Sequence, residues 1–535
     1  MATFGIDLGT TYSCISYVGD DGMPVVVRNG RGEELTPSVV YFESAHNVVV
    51  GDEAKDAAKS DAERVVALIK RHMGSRDPVE LEFDGITYTP ESVSAFIVRD
   101  LARSAVAATG GPVDDVVITV PAYFGISERK ATADAGEIAG LNVVSVVPEP
   151  VAAALHYGAL GNGAAAADRT ILVYDLGGGT FDTTVIRLSG DDVTVVCTDG
   201  DHQLGGADWD ERIVSHLRDC FVAEHPGAGA GASEAFLQSL GLIAEDLKKA
   251  LSVRMTKRQP IQFEGLRALV EMTRSTFEEL TADLLDRTVE ITRRTLRTAQ
   301  ELGCRPPDTV LLVGGSTLMP AVAQALRQHF GFEPQLHDPQ LAVAKGAAMF
   351  ALQETVRVRL ADTGDDSAIR KIAGDLGVSS DLIRTASAKK VTIVVPRAFG
   401  TGIVARGTEP EEGKIEVRHL LFANTPLPSK PVTERFVTAF KDQTSITIDI
   451  WEQAGTDVSH LPEDNLRIGD GEISRLPPLP KGSPIDITFA MNETGVLKVD
   501  AIELVTGQKV HIEVQIGGLD AKRVRQAREA ITRLS

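Results

Sequence analysis

Asp175-Leu176-Gly177-Gly178-Gly179-Thr180-Phe181-Asp182, near the middle of the chain, repeats the design of Gly5-Ile6-Asp7-Leu8-Gly9-Thr10-Thr11 at its start. Each copy follows an apolar run, Phe4 to Ile6 and Ile171 to Tyr174, and passes into alternating residues, Cys14 to Val18 and Thr183 to Leu188. Each therefore reads as the turn of a β-hairpin. Glycines let backbone N–H groups approach phosphate oxygens with no side chain in the way, while Asp and Thr supply metal-linked and hydroxyl contacts. One such turn is ordinarily a plain hairpin; two of one composition point to paired phosphate cradles.

A third element lies beyond both. The apolar run Val310-Leu311-Leu312-Val313 ends in Gly314-Gly315-Ser316-Thr317, just before a helical stretch from Met319-Pro320, where a nucleoside could lie against backbone. The three together resemble the actin-like pattern: two similar lobes of ribonuclease H-like α/β fold, each giving one phosphate loop, with the nucleotide in the cleft between them.

Further motifs make the resemblance specific. Thr119-Val120-Pro121-Ala122-Tyr123-Phe124, Val147-Pro148-Glu149-Pro150-Val151-Ala152-Ala153-Ala154-Leu155, Gly205-Gly206 with Ala207-Asp208-Trp209-Asp210, and Phe277 to Leu284 follow in order. Residues 1–353 thus resemble the nucleotide-binding ATPase domain of the seventy-kilodalton heat-shock chaperones, the DnaK type. Hydrolysis of a terminal phosphate needs a magnesium ion across the phosphates, a cation against the moving charge and a held water. Asp7 and Asp175 can hold the hydrated metal from opposite lobes, and Glu149 can act through its water shell. The resemblance implies that Lys70 helps place the attacking water, that Asp182 orients it, and that Thr10, Thr11 and Thr180 contact phosphate. It also implies nucleotide contacts from Gly9, Tyr12, Gly177, Gly178, Gly179, Gly205, Gly206, Gly314, Gly315 and Ser316. Taken singly, Lys70 reads as a solvated helix lysine and the carboxylates as turn caps.

At the adenosine end, Glu245, Lys248, Lys249 and Ser252 fall within about two turns of one broad helix face, able to border base and ribose. Here the chain departs from the family. Lys249 and Leu318 stand where arginines usually stack on adenine, Gln340 replaces an Asp after Asp338-Pro339, and Ala207 replaces a Glu after Gly205-Gly206. Lysine stacks less well than a planar guanidinium, so phosphate binding is better specified than base preference.

Composition agrees with a multidomain globular protein. The chain has 535 residues, 43% hydrophobic and 24% charged, enough for two or more sizeable cores. A net charge of −21 argues against general nucleic-acid or acidic-membrane binding. No apolar run approaches the roughly 18 residues of a membrane span, and Met1-Ala2-Thr3-Phe4 leads straight into a strand, so a cytoplasmic location is expected. Cys14, Cys197, Cys220 and Cys304 are scattered without metal-ligand spacing, which suits buried reduced thiols. Gly158 to Ala167 and Pro226 to Ala232 read as loops, and Pro90 to Ala108 as the one clear helix between Lys70 and Pro121. That region looks shorter than the family's, in a lobe the family uses to meet cofactors.

After Gln353 the character changes. The family's leucine-rich acidic linker has no recognisable counterpart; residues 354–390 read as a helical insert. Ile369, Ile372, Ala373 and Leu376 fall at i, i+3, i+4 and i+7 before Gly377, and a second helix is expected over Ser380 to Ala386. The pair resembles a helix-turn-helix, but its acids balance its bases, so a spacer is expected rather than DNA binding. From 391 to 517 the pattern is strands: Val391 to Val395, Arg435 to Phe440, Ser445 to Trp451, Ile485 to Phe489, Val496 to Ala501 and the alternating Val510 to Ile516, with turns at Asn492 to Gly495 and Thr506-Gly507. They imply an all-β antiparallel sandwich resembling the family's peptide-binding domain, with Val417, Phe436, Ala439 and Ile446 at its pocket and arch. As strand residues alone, all four would be assigned to the core. Residues 518–535 allow one short basic helix, too little for the family's helical lid, so bound peptide should escape quickly.

The expectation is an ATP-hydrolysing chaperone whose ATP/ADP and Mg2+ state biases the grip of a sandwich on unfolded or extended polypeptide. Pro121 and Arg129 would carry the coupling, and the partners implied are a J-domain co-chaperone and a nucleotide exchange factor. An actin-like small-molecule kinase, or a nucleotide-gated interaction protein, are the alternatives.

Overall fold

The computed structural model describes residues 3–75, 79–160, 168–190, 192–360, 366–405, 414–455, 457–493, 495–514 and 521–533. Its amino-terminal part contains two sheets of one design. In the first, Phe4–Asp7 and Tyr12–Val18 form an antiparallel hairpin, Pro24–Val26 adds to the second strand, and Asp115–Val120 and Asn142–Pro148 add in parallel beside the first. In the second sheet Arg169–Leu176, Phe181–Ser189, Asp192–Asp201, Thr309–Val313 and Pro334–Leu336 repeat that order and sense. The quoted glycine turns close the two hairpins, and Asp175 pairs directly across from Asp182. Strands covered on both faces are apolar throughout, which is why Asp115–Val120 buries five consecutive residues and Arg169–Leu176 seven.

Two helices, Glu149–Leu160 and Ala342–Leu360, run between the sheets. Val117 and Val147 of the first sheet share one core with Ile171 and Val173 of the second and with Ala347 and Ala351. The helices touch backbone to backbone: a Cβ on Gly346 would lie 1.7 Å from the carbonyl oxygen of Ala152. Glu149–Leu160 also extends into the stretch expected as a loop, of which residues 161–167 lie outside the described residues. The expected loop Pro226 to Ala232 holds a short 3-10 turn, Ala230–Ala232.

The first unit does not end at Gln353, because Ala342–Leu360 passes through it. The expected insert helices form at Asp366–Leu376 and Ser380–Ala388, with Gly377 left-handed between them (φ 72°) and the Ser379 hydroxyl capping the second. They are packed rather than a free spacer. Ile372, Leu376 and Ile383 bury against Val18, Leu352 and Val356. Val391–Thr392, expected as the first strand of the sandwich, instead pairs in parallel with Asp192–Asp201 at the edge of the second sheet. The connection between the two halves is thus itself a strand of the first half. Its four apolar residues gave the right conformation but not the partner, which contact across the chain decides.

Two antiparallel four-stranded sheets make the sandwich. One orders Ile415–Leu421, Phe399–Val404, Ile446–Gln453 and Asn465–Ile473; the other Val432–Val437, Pro484–Met491, Leu497–Glu503 and Lys509–Val514. Residues 515–520, including the expected end of the last strand, lie outside the described residues, as does Thr494. Three strands had no sequence expectation: Phe399–Val404, Ile415–Leu421 and Asn465–Ile473. Glycine weakens the strand signal in the first and last, yet neighbouring atoms come close to it in both. A Cβ on Gly400 would meet the Arg418 backbone at 2.1 Å, and one on Gly471 the Ile512 side chain of the facing sheet at 2.5 Å.

The two halves are in contact. Ile126 packs against the sandwich core, and the Thr198 N–H donates to Asn424 Oδ1 (2.9 Å). The carboxy-terminal helix, Ala521–Arg533, lies against Pro90–Thr109 and Ile126–Ile138 of the first half, burying Val524 and Ile531 in the core with Phe96 and Leu101. No helix among the described residues is long and apolar enough to cross a membrane.

Candidate active site

The glycine turns face each other. A Cβ on Gly178 would fall 2.3 Å from Thr11 Oγ1, and one on Gly179 2.4 Å from Thr10 Cγ2. Each turn is braced: Ser13 Oγ accepts from the Gly9 N–H (3.1 Å), and the Gly177 N–H donates to the Thr180 carbonyl (3.0 Å). Gly205 and Gly206 press on the second turn and on Ser316, whose hydroxyl donates to the Gly177 carbonyl at 2.8 Å. Gly314, at φ 83°, would drive a Cβ into the Leu176 carbonyl at 2.3 Å, so glycine is obligatory there.

Between the turns lies a cavity of about 560 Å³. It suits a nucleotide-sized ligand. Asp7, Gly9, Thr10, Thr11 and Tyr12 line it from the first turn, and Asp175, Gly177, Gly178 and Thr180 from the second. Gly314, Gly315, Ser316 and Leu318 close a third side, while Glu245, Lys248, Lys249 and Ser252 project from one helix, Glu234–Val253, as the sequence implied. Gly179, Gly205, Gly206 and Asp182 are not on the wall; they stand behind it.

Lys70 sits on a 3-10 turn, Ile69–His72, rather than on a solvated helix, and is 4% exposed. Leu68 just before it holds a left-handed backbone (φ 57°), a costly conformation for leucine that aims the lysine inward. Lys70 Nζ donates to Glu149 Oε1 at 2.7 Å and lies 5.8 Å above the Phe124 ring. Around this pair three carboxylates crowd. Burial, then repulsion from Glu149, pushes Asp7 up to about 7, against Lys70 and the Thr119 hydroxyl, which donates at 3.1 Å. Asp7 keeps some surface open to the cavity, yet protein atoms on every side desolvate it. Burial, then Glu149, likewise holds Asp175 and Asp182 well above the usual carboxylate range. The two Asp182 oxygens have no hydrogen-bond partner; the Ala122 and Tyr123 amides lie close enough to oppose the shift without closing a good bond.

Such a group of desolvated carboxylates calls for positive charge. Among the described residues, no three His, Cys, Asp or Glu side chains close to direct metal-ligand geometry. Carboxylates gathered on one cavity wall suit a magnesium ion bound through its waters, which Asp7, Asp175 and Glu149 would hold.

The end of the cavity where adenosine was expected differs in detail from expectation. Lys248, 8% exposed, turns away from the base position: its Nζ donates to the Gly206 carbonyl and to Asp210 Oδ2, both at 2.7 Å. Its work is to tie the Gly205-Gly206 turn to the helix. Lys249 Nζ instead donates to the Tyr12 hydroxyl (2.9 Å) and pairs with Glu245 (2.9 Å). Lys55, which pairs with Glu245 from the far side and lies over the Tyr12 ring, was not foreseen, nor was Asp210 as a site residue. The Ala207-Asp208-Trp209-Asp210 run could have signalled Asp210; nothing local singles out Lys55. Leu318 is 44% exposed and offers the cavity only an apolar side chain.

Of the residues expected for coupling, Pro121 begins a buried loop that Arg129 braces, donating to the carbonyls of Ala122 (3.2 Å) and Phe124 (2.8 Å). Burial lowers the Arg129 guanidinium to about 10. Beside it the sandwich inserts Glu452, fully buried, whose Oε1 accepts from the Ile126 N–H (3.3 Å). Gly125 makes room, since a Cβ there would sit 2.3 Å from that oxygen. Arg397 completes the cluster, donating to Glu128 Oε1 (2.8 Å) over the Tyr123 ring. In the sandwich, Val417 and Ile446 are buried, while Phe436 and Ala439 are half-buried.

A model of the Hsp70 protein family matches residues 3–79, 76–360 and 408–531. The matches take in both glycine turns, the cavity, most of the sandwich and nearly all of the carboxy-terminal helix, and leave out the stretch with the two packed insert helices. The family's architecture, an actin-like ATPase followed by a β-sandwich, accounts for both halves of the molecule. With so much of its length matched, the chain belongs to the Hsp70 protein family.

Proposed function

We propose that this chain is an ATP-dependent molecular chaperone, hydrolysing ATP to ADP and phosphate in a two-lobed, ribonuclease H-like cleft and using nucleotide state to control the grip of its sandwich on unfolded polypeptide. One observation carries the reading: two glycine turns from matching sheets meet over a single cavity whose far end holds the buried Lys70–Glu149 pair. Backbone N–H groups of both turns, with the hydroxyls of Thr10, Thr11 and Thr180, bind the phosphates. Bound magnesium supplies charge neutralisation across the terminal phosphates. Lys70 positions the attacking water, and Asp182, its oxygens free of other partners, orients it and takes its proton. The water oxygen bonds to the terminal phosphorus as the bond to the bridging oxygen breaks.

The loop braced by Arg129 has Asp182 on one side and the Glu452–Arg397 cluster of the sandwich on the other. It is the route by which the catalytic end would sense docking of the sandwich. Peptide would be gripped through its backbone along Val432–Val437, an edge strand with Val432, Val437 and nearby Phe440 exposed, with Phe436 and Ala439 at the rim and Val417 and Ile446 supporting from within. A J-domain co-chaperone and an exchange factor are the partners this reading implies.

The test is phosphate release from ATP and magnesium with no acceptor added. Lys70→Ala and Thr180→Ala should each lower turnover by on the order of 100-fold or more. Turnover that requires a small-molecule acceptor would identify a kinase instead.

A further inference from the structure

Lys70 and Thr180 front two cavities. Behind them, away from the adenosine end, a second space of about 570 Å³ opens between the two halves of the molecule. Its floor is Lys70, Arg71 and Phe124; its far wall comes from the sandwich side, with Arg397, Ala454 and Leu466. Positive groups outnumber negative ones. Lys70, Arg71 and Arg397 face two carboxylates, Glu128 and Asp208, and both are already paired, with Arg397 at 2.8 Å and Arg71 at 2.6 Å. His72 and His202 add two further nitrogen-bearing rings. Arg397, 7% exposed, brings its guanidinium to this wall while paired with Glu128. The cationic side chains along this wall favour passage of an anion.

We infer that this second cavity is the exit path of the orthophosphate product, lined by Lys70, Arg71 and Arg397, and that the docked sandwich forms the gate. The inference rests on the ATPase reading. While ADP fills the cleft, the cleaved phosphate cannot leave past the diphosphate, and the opening on the other side of Lys70 and Thr180 is this one. Because one wall belongs to the sandwich, undocking removes it and speeds phosphate escape. Nucleotide state and sandwich position are then linked by product release as well as by contact.

Entry by the reverse path tests this on the full chain. Protein loaded with ADP and magnesium is mixed rapidly with radiolabelled orthophosphate, and association is followed in wild type, Ala454→Trp and Ser75→Trp. Ala454 and Ser75 are exposed residues on opposite walls, away from the nucleotide contacts, so either indole narrows the passage without entering the core. The expected result is association at least tenfold slower in both variants, with ADP affinity unchanged. Association as fast as wild type in both, or a wild type that retains ADP but takes up no phosphate, would overturn the exit path and leave the ATPase reading standing. A wild type that retains no ADP would remove the ATPase reading and this inference with it.

Discussion

Lys70 and Glu452 show how single residues carry the two activities proposed here. Both are buried ionisable groups, Lys70 paired with Glu149 and Glu452 accepting from the Ile126 N–H. Glycine plays the complementary part at the cradle. A methyl on Gly178 would enter the space of the Thr11 hydroxyl, so Gly178→Ala should weaken ATP affinity by roughly tenfold, about 1.4 kcal/mol, while the fold persists. Equilibrium binding of labelled ATP checks this, and unchanged affinity would mean that the threonine swings aside freely. Glu452 makes a pH-dependent contact. Burial raises its carboxyl from the usual 4.5 to about 7, against the pull of Arg397 and Arg129 and with repulsion from Glu128. A raised carboxyl holds its proton more tightly in the folded state, so its contribution is full below about pH 4.5 and is lost as pH rises through 7. Stability should therefore fall by about 1–3 kcal/mol more between pH 5 and 8 in wild type than in Glu452→Gln. Urea midpoints at the two pH values decide it; equal slopes in the two proteins would place the titration elsewhere. Much at this scale was legible: glycines, threonines and aspartates of the turns announce themselves by type and spacing. Lys55 and the inward turn of Lys248 were not, because each is defined by a partner remote in the chain, Glu245 190 residues from Lys55 and Asp210 38 residues from Lys248.

Among the elements, helices with caps and strands with clean alternation were readable, and those built around close approach were not. Thr89 caps Pro90–Thr109 with a reciprocal Ser92 bond, a local signal that a sequence displays. The strands Phe399–Val404 and Asn465–Ile473 carry glycines because other backbone and side chains press on them, and glycine reads locally as a turn. The same logic at the crossing of Glu149–Leu160 and Ala342–Leu360 yields a prediction. Gly346→Ala puts a methyl 1.7 Å from the Ala152 carbonyl, with main chain on both sides, and should cost about 3 kcal/mol or more by forcing the helices apart. A thermal midpoint within a degree of wild type would show that the crossing yields easily. Since these helices join both sheets, nucleotide affinity should fall with stability.

For the whole molecule, the decisive feature is that the halves are docked. Ile126 enters the sandwich core, Val391–Thr392 extends the second sheet, and the carboxy-terminal helix binds the first half. Ile126→Asp places a charge in that contact and should release the sandwich, raising the radius of gyration in small-angle scattering and abolishing any effect of ATP on peptide dissociation. Retention of a compact particle with normal coupling would show that Ile126 does not hold the halves together. The sequence by itself determined the duplicated glycine hairpins, the helix bearing Glu245 and Lys249, and the β-rich second half, because turn chemistry and side-chain periodicity act over a few residues. Tertiary structure alone decided which strands pair with the second sheet, where the insert and final helices pack, and how Arg397 and Glu452 meet the loop that Arg129 braces. Those choices depend on burial and charge between residues far apart in the chain, where no local pattern records the partner.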